Sequence, residues 1–112
     1  MITIEKLDNN IDLVSFNTLE KLNATVSEDV KSELGRLFEV PNAQIVVDLE
    51  GVKYIDSSGF GCFLTTMKAA RNNYGKFKIC NIDPDLYAVF KTLQLHTILD
   101  LYDDLGSCLN SF

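Results

Sequence analysis

The sequence has 112 residues, of which 46% are hydrophobic and 23% charged, enough apolar content for one globular domain, residues 1–112, with a real core. Its net charge of −6 excludes the basic surface that nucleic acid or anionic lipid would demand. No apolar run approaches the roughly 18–20 residues of a membrane span. The N-terminal Met1-Ile2-Thr3-Ile4-Glu5-Lys6-Leu7 has neither the basic stretch nor the apolar block of a signal peptide, so a cytoplasmic protein is expected.

Residues 2–7 and 11–16 alternate apolar and polar side chains around the turn cluster Asp8-Asn9-Asn10, which predicts an antiparallel hairpin. Residues 17–24 are polar and carry no clear period. A helix is predicted from near Thr25, where Thr25 and Glu28 have capping-box spacing, with Val26, Val30, Leu34, Leu37 and Phe38 as its buried stripe and Pro41 marking the stop. Ile45-Val46-Val47 and Leu49 read as a buried strand.

Asp56-Ser57-Ser58-Gly59 then precedes a second amphipathic helix, whose apolar positions are Phe60, Phe63, Leu64, Met67, Ala70 and Tyr74, with Gly75 as its left-handed cap. Ser58 is the expected N-cap, and Gly59 permits the close turn. Phe77 to Ile82 form a fourth strand. Asp83-Pro84 is a strong helix start, with Leu86, Val89, Phe90 and Leu93 turned to the core. Thr97 to Leu101 make a fifth short strand. Asp103 and Asp104 open a last helix with Leu105, Cys108, Leu109 and Phe112 on one face. The order β-β-α-β-α-β-α-β-α predicts an α/β fold: a mostly parallel five-stranded sheet, an antiparallel first strand and about four helices.

Ligands of such sheets gather at the C-terminal ends of the strands, where Asp56, Ser57 and Ser58 fall. A nucleophilic serine would need a base, and His96, the one histidine, sits at a helix-to-strand turn outside any Gly-x-Ser-x-Gly context. No Gly-rich phosphate loop is present. Cys62, Cys80 and Cys108 are widely spaced among apolar neighbours and read as reduced, buried thiols. With a single histidine, neither a metal nor a cofactor is expected.

Residues 45–61, with hydrophobic-Asp-Leu followed by Ile55-Asp56-Ser57-Ser58-Gly59-Phe60-Gly61, resemble the core of the STAS domain family of bacterial anti-sigma-factor antagonists. Asn81 to Pro84, Val89-Phe90 and residues 93–99 resemble that family's following strand, helix and short strand. The resemblance implies a non-enzymatic protein phosphorylated on Ser57 by an anti-sigma factor with serine kinase activity and dephosphorylated by a metal-dependent serine phosphatase. Only the unphosphorylated form would bind the anti-sigma factor and release sigma. Asp56, Ser58 and Gly59 carry the motif. Asn23 stands where the family has an acidic residue, in a segment lacking the usual glycine. The same fold also serves as a scaffold or ligand-binding subunit in stress-signalling and lipid-transport complexes, which is the alternative reading.

Overall fold

A computed structural model describes residues 2–112, and the hairpin that begins it is set by its turn. Asn9 and Asn10 both take positive φ, the backbone that asparagine tolerates best after glycine, and reverse the chain between β1 (Ile2–Leu7) and β2 (Ile11–Phe16). These strands pair antiparallel, Ile2 opposite Phe16 and Leu7 opposite Ile11. The remaining chain gives β3 (Lys21–Leu22), α1 (Ala24–Leu37), β4 (Gln44–Asp48), β5 (Tyr54–Ile55), α2 (Ser57–Asn72), β6 (Lys76–Cys80), α3 (Pro84–Thr92), β7 (Asp100–Leu101) and α4 (Leu105–Asn110).

The main sheet has the order β1-β2-β4-β6-β7, and every pair after the first is parallel. The expected five-stranded, mostly parallel sheet and its four helices are therefore present. Unforeseen is a second, two-stranded parallel ladder, β3 with β5, which pairs Lys21 with Tyr54 and Leu22 with Ile55. It explains why residues 17–24 lack a period: two residues are too few to show one.

One face of the sheet is covered by the larger core, in which Val14, Ile45, Val47 and Ile79 meet Val30, Leu34, Phe63 and Phe90 from the helices. The other face carries a smaller cluster of Ile11, Leu13, Val46 and Cys80, closed by Cys108 of α4. Because β4 contributes Ile45 and Val47 to one side and Val46 to the other, it is buried on both faces. That is why it reads as an unbroken apolar run.

Several expectations are corrected. The helix predicted from Thr25 starts at Ala24, and its cap is Asn23, whose side chain accepts the Thr25 N–H. Glu28 pairs instead with Lys31 at 3.0 Å. Tyr74, expected on the buried stripe of α2, is 82% exposed and itself takes the left-handed turn expected of Gly75. Gly75 is needed for a different reason, since a Cβ there would meet the Phe38 ring at 2.8 Å. Val89 and Leu93 face solvent, 41% and 50% exposed, while Leu86 and Phe90 are the buried residues of α3 and Tyr87 packs partly against the core. Of the strand predicted over 97–101, only the two residues of β7 form a strand; Thr97 ends a 3-10 turn, Leu95–Thr97, and residues 98–99 connect the two. The strand predicted over 77–82 runs from Lys76 to Cys80, and α4 opens from Asp104 with Asp103 outside it. Asp83 caps α3 with Pro84 at its first position, as expected. Among the described residues no helix is long and apolar enough to cross a membrane.

Gly59 shows how closely α2 approaches the short ladder. A Cβ at this position would lie 2.6 Å from Ile55 Cγ2 and 2.8 Å from the Leu22 carbonyl oxygen. The second contact is to backbone and cannot swing away. Gly59→Ala is therefore expected to lower stability by about 1–3 kcal/mol, as overpacking does, read from urea or thermal unfolding.

Candidate functional site

The backbone leaving β4 first turns through residues 49–53. Leu49 N–H donates to Cys80 O, and the N–H groups of Lys53 and Tyr54 both donate to Glu20 O. Asp56 N–H then donates to Leu22 O at 3.1 Å, so the chain reaches α2 already strapped to the segment that precedes α1. The starts of α1 and α2 are brought together by this ladder at the C-terminal end of the sheet.

A single carboxylate serves both helix starts. Asp56 is the N-cap of α2: its Oδ1 accepts the N–H groups of Ser58 at 2.9 Å and Gly59 at 3.1 Å. Its Oδ2 accepts the Ala24 N–H, the first residue of α1, at 3.2 Å. These groups are among the donors a helix start leaves without intrahelical partners. Ser58 Oγ also donates to Asp56 Oδ1, at 2.5 Å, and this hydroxyl together with the three backbone N–H groups holds the Asp56 carboxyl below its ordinary 3.8.

The cap expected of Ser58 is therefore Asp56. Ser58 lies in the first turn, half-buried, with its hydroxyl between Asp56 and the buried Ser27 of α1, whose Oγ lies 3.0 Å away. Ser27 donates in turn to Asn23 O at 2.6 Å. Three close polar contacts therefore line up from the Asp56 carboxylate through Ser58 and Ser27 to the cap of α1, and they share two hydroxyl protons. Sequence reasoning missed Ser27, and no local signal could have found it, since its partner is 31 residues away.

Ser57 is different. It is the first residue of α2 and exposed, and among the described residues no hydrogen bond engages its hydroxyl. Of two adjacent hydroxyls, one is held by two partners and the other is presented to solvent. Gly59 is buried against Leu22 and Ile55, and Asn23 caps α1, so all five residues singled out from the sequence converge at this end of the sheet.

The nearest hollow is an open groove of about 360 Å³ between α1 and α2, lined by Ser27, Ser58 and Cys62 with the Glu28–Lys31 pair at its side. Beyond the ladder, Lys53 bonds the α3 cap Asp83 at 2.9 Å, which raises the lysine and lowers the carboxyl. Asn81, in left-handed backbone, donates to Asp48 Oδ1 at 3.0 Å and ties the ends of β6 and β4. His96 lies in the 3-10 turn after α3. Among the described residues no cluster of three metal-ligating side chains occurs.

The sequence model of the STAS domain matches residues 2–108. The chain belongs to the STAS domain family. Among its relatives, an anti-sigma-B factor antagonist of Bacillus subtilis is 26% identical over 100 residues, covering 89% of this chain and 88% of that protein. An anti-sigma F factor antagonist of Paenibacillus polymyxa is 28% identical over 60 residues, or 54% of this chain and 51% of that relative. Among solved structures, a putative anti-sigma factor antagonist from Thermotoga maritima superimposes with a TM-score of 0.86 at 20% identity, over 98% of this chain and 92% of that one. The phosphorylated form of the Bacillus cell fate determinant SpoIIAA gives 0.70 at 18% identity, over 99% and 98%. These two similarities show the STAS fold.

Two outcomes test the site geometry. Asp56→Ala removes the acceptor of three N–H groups on two helices and is expected to lower the melting temperature more than Ser58→Ala, which loses one net hydrogen bond, about 1 kcal/mol. Because the Asp56 carboxyl is held below its unfolded value, its stabilisation is present above that value of 3.8 and is lost as pH falls through the lower folded one. Unfolding midpoints in urea from neutral pH down to about pH 3 are expected to fall less steeply for Asp56→Asn, which keeps a capping oxygen without the titrating charge.

Proposed function

We propose that this protein is a phosphorylation-switched anti-sigma-factor antagonist. In this reading the unphosphorylated form binds an anti-sigma factor with serine kinase activity and releases sigma. Phosphorylation of Ser57 ends that binding, and a metal-dependent serine phosphatase restores it. The protein is a substrate and binding module in the cytoplasm, with no catalytic residue of its own. The observation that carries the reading is the contrast between the two serines: Ser57 Oγ is exposed and unengaged, whereas Ser58 Oγ is held by Asp56 and Ser27. The names of the relatives support its coarser part, antagonism of an anti-sigma factor.

The physics of such a switch follows from where Ser57 sits. A phosphate would bring about −1.5 to −2 charges and three strong acceptors. The start of α2 tolerates an anion, so the fold is expected to survive the modification. Asp56, ionised and one residue away, opposes the new charge and gives it no counter-ion. A partner surface fitted to the bare hydroxyl would then have to desolvate a dianion, at several kcal/mol, roughly the whole free energy of a micromolar contact. Binding is lost through charge and bulk, with little refolding.

Incubation with the cognate anti-sigma kinase and ATP, followed by intact mass and peptide mapping, tests the assignment. One phosphate is expected on Ser57. Ser57→Ala should accept none and still bind the kinase, while Ser58→Ala should still be modified. Ser57→Asp should bind at least tenfold more weakly with an unchanged circular dichroism spectrum, tenfold being about 1.4 kcal/mol. Modification of the Ser57→Ala protein at the same rate would refute the site.

A further inference from the structure

The two edges of the main sheet differ. On one side it ends with β7, only Asp100–Leu101, a short edge of the kind that resists further pairing. On the other it ends with β1, whose six residues all stand in register with β2, with neither bulge nor proline. Alternate backbone N–H and C=O groups of β1 point away from β2, and among the described residues no other segment pairs with them. Ile4, opposite the core residue Val14 and so on the α1 side of the sheet, is 44% exposed. Lys6, the residue type that commonly guards an edge, is instead paired with Asp12 of β2 at 3.0 Å.

Charged side chains of α1 border this edge. A hollow of about 200 Å³ between Ile2 and α1 is lined by Asp29, Glu33 and Arg36, and Arg36 also lines, with Lys6, the hollow at the far end of β1. The edge is thus acidic beside Ile2 and carries Arg36 toward Lys6. Among the described residues none of Asp29, Glu33 and Arg36 has an ion-pair partner.

We propose that β1 is the interface for a second copy of this chain, the two β1 strands pairing antiparallel about a two-fold axis through Ile4. A two-fold copy keeps each residue on its own face of the sheet, so only registers that set one residue opposite itself are open. Centred on Glu5, the strands would set two like charges face to face. Centred on Thr3, they would pair only residues 2–4 of the strand. Centred on Ile4, residues 2–6 all pair: Ile4 meets Ile4, Ile2 lies against the apolar stem of Lys6, and Thr3 stands opposite Glu5. The axis also reverses the second copy along the edge, so Arg36 of each α1 faces Asp29 and Glu33 of the other. The joined sheet runs through both copies, and the two Ser57 positions lie at its opposite ends, each open to its own partner. A contact this small makes a weak dimer, with a Kd between about 10 μM and about 1 mM.

Sedimentation equilibrium of the purified chain from about 10 μM to about 1 mM tests this. The mass is expected to rise from that of one chain toward that of two. Ile4→Lys sets two cations on the axis and should leave a monomer throughout, with an unchanged circular dichroism spectrum. Arg36→Glu, which leaves β1 itself untouched, should raise the Kd at least threefold, and high salt should weaken the unaltered dimer. Should Ile4→Lys fail to fold, cysteine variants read the register without it, since the three native thiols are buried. Under mild oxidation Ile4→Cys should form a covalent dimer. Glu5→Cys alone should not, whereas a mixture of Glu5→Cys with Thr3→Cys should. A monomer up to about 1 mM, an Arg36→Glu dimer as tight as the unaltered one, or faster cross-linking by Glu5→Cys than by Ile4→Cys would each overturn the proposal.

Discussion

The structure depends on one carboxylate shared by two helices. Asp56 accepts the first N–H of α1 and two N–H groups of the first turn of α2, so the two helix starts are fixed relative to each other by a single side chain. Each start carries a partial positive charge, and two brought close would repel without an anion between them. An ionised carboxyl there satisfies the donors and offsets both dipoles. Its depressed titration is the same fact seen from the proton's side.

Everything around Asp56 keeps that approach possible. The β3–β5 ladder puts Leu22 beside Ile55, and Asp56 N–H closes onto Leu22 O. Gly59 leaves the room that this closeness requires, since any side chain there would strike the Leu22 carbonyl. Ser27 and Ser58 fill the remaining polar gap with hydroxyls that lie 3.0 Å apart and reach Asn23 O and Asp56 Oδ1. Asn23 caps α1 through its side-chain oxygen, which accepts the Thr25 N–H.

Fold class, the order of elements along the chain and the identity of the motif were legible because they rest on signals that are local and repeated. β4 is apolar on both faces, the hairpin alternates, and Asp83-Pro84 announces α3 within two residues. The caps were less legible. Asn23 against Thr25, and Asp56 against Ser58, are pairs of equally able capping types two residues apart, and only the tertiary contact between α1 and α2 decides between them. Val89 and Leu93 have the right spacing for a buried stripe, but Leu86 and Phe90, with Tyr87 partly buried, make the contact of α3 with the core and leave these two exposed. Ser27 was invisible because nothing near it in the chain reports its partner.

The row of polar contacts from Asp56 to Asn23 has a further consequence. With the hydroxyl protons of Ser58 and Ser27 shared inside the corner, the corner has little slack through which a disturbance at Ser57 could spread into the interior. A chemical mark there is confined to the outside, like ink on a rigid die. What another molecule would read is an altered imprint on an unaltered body.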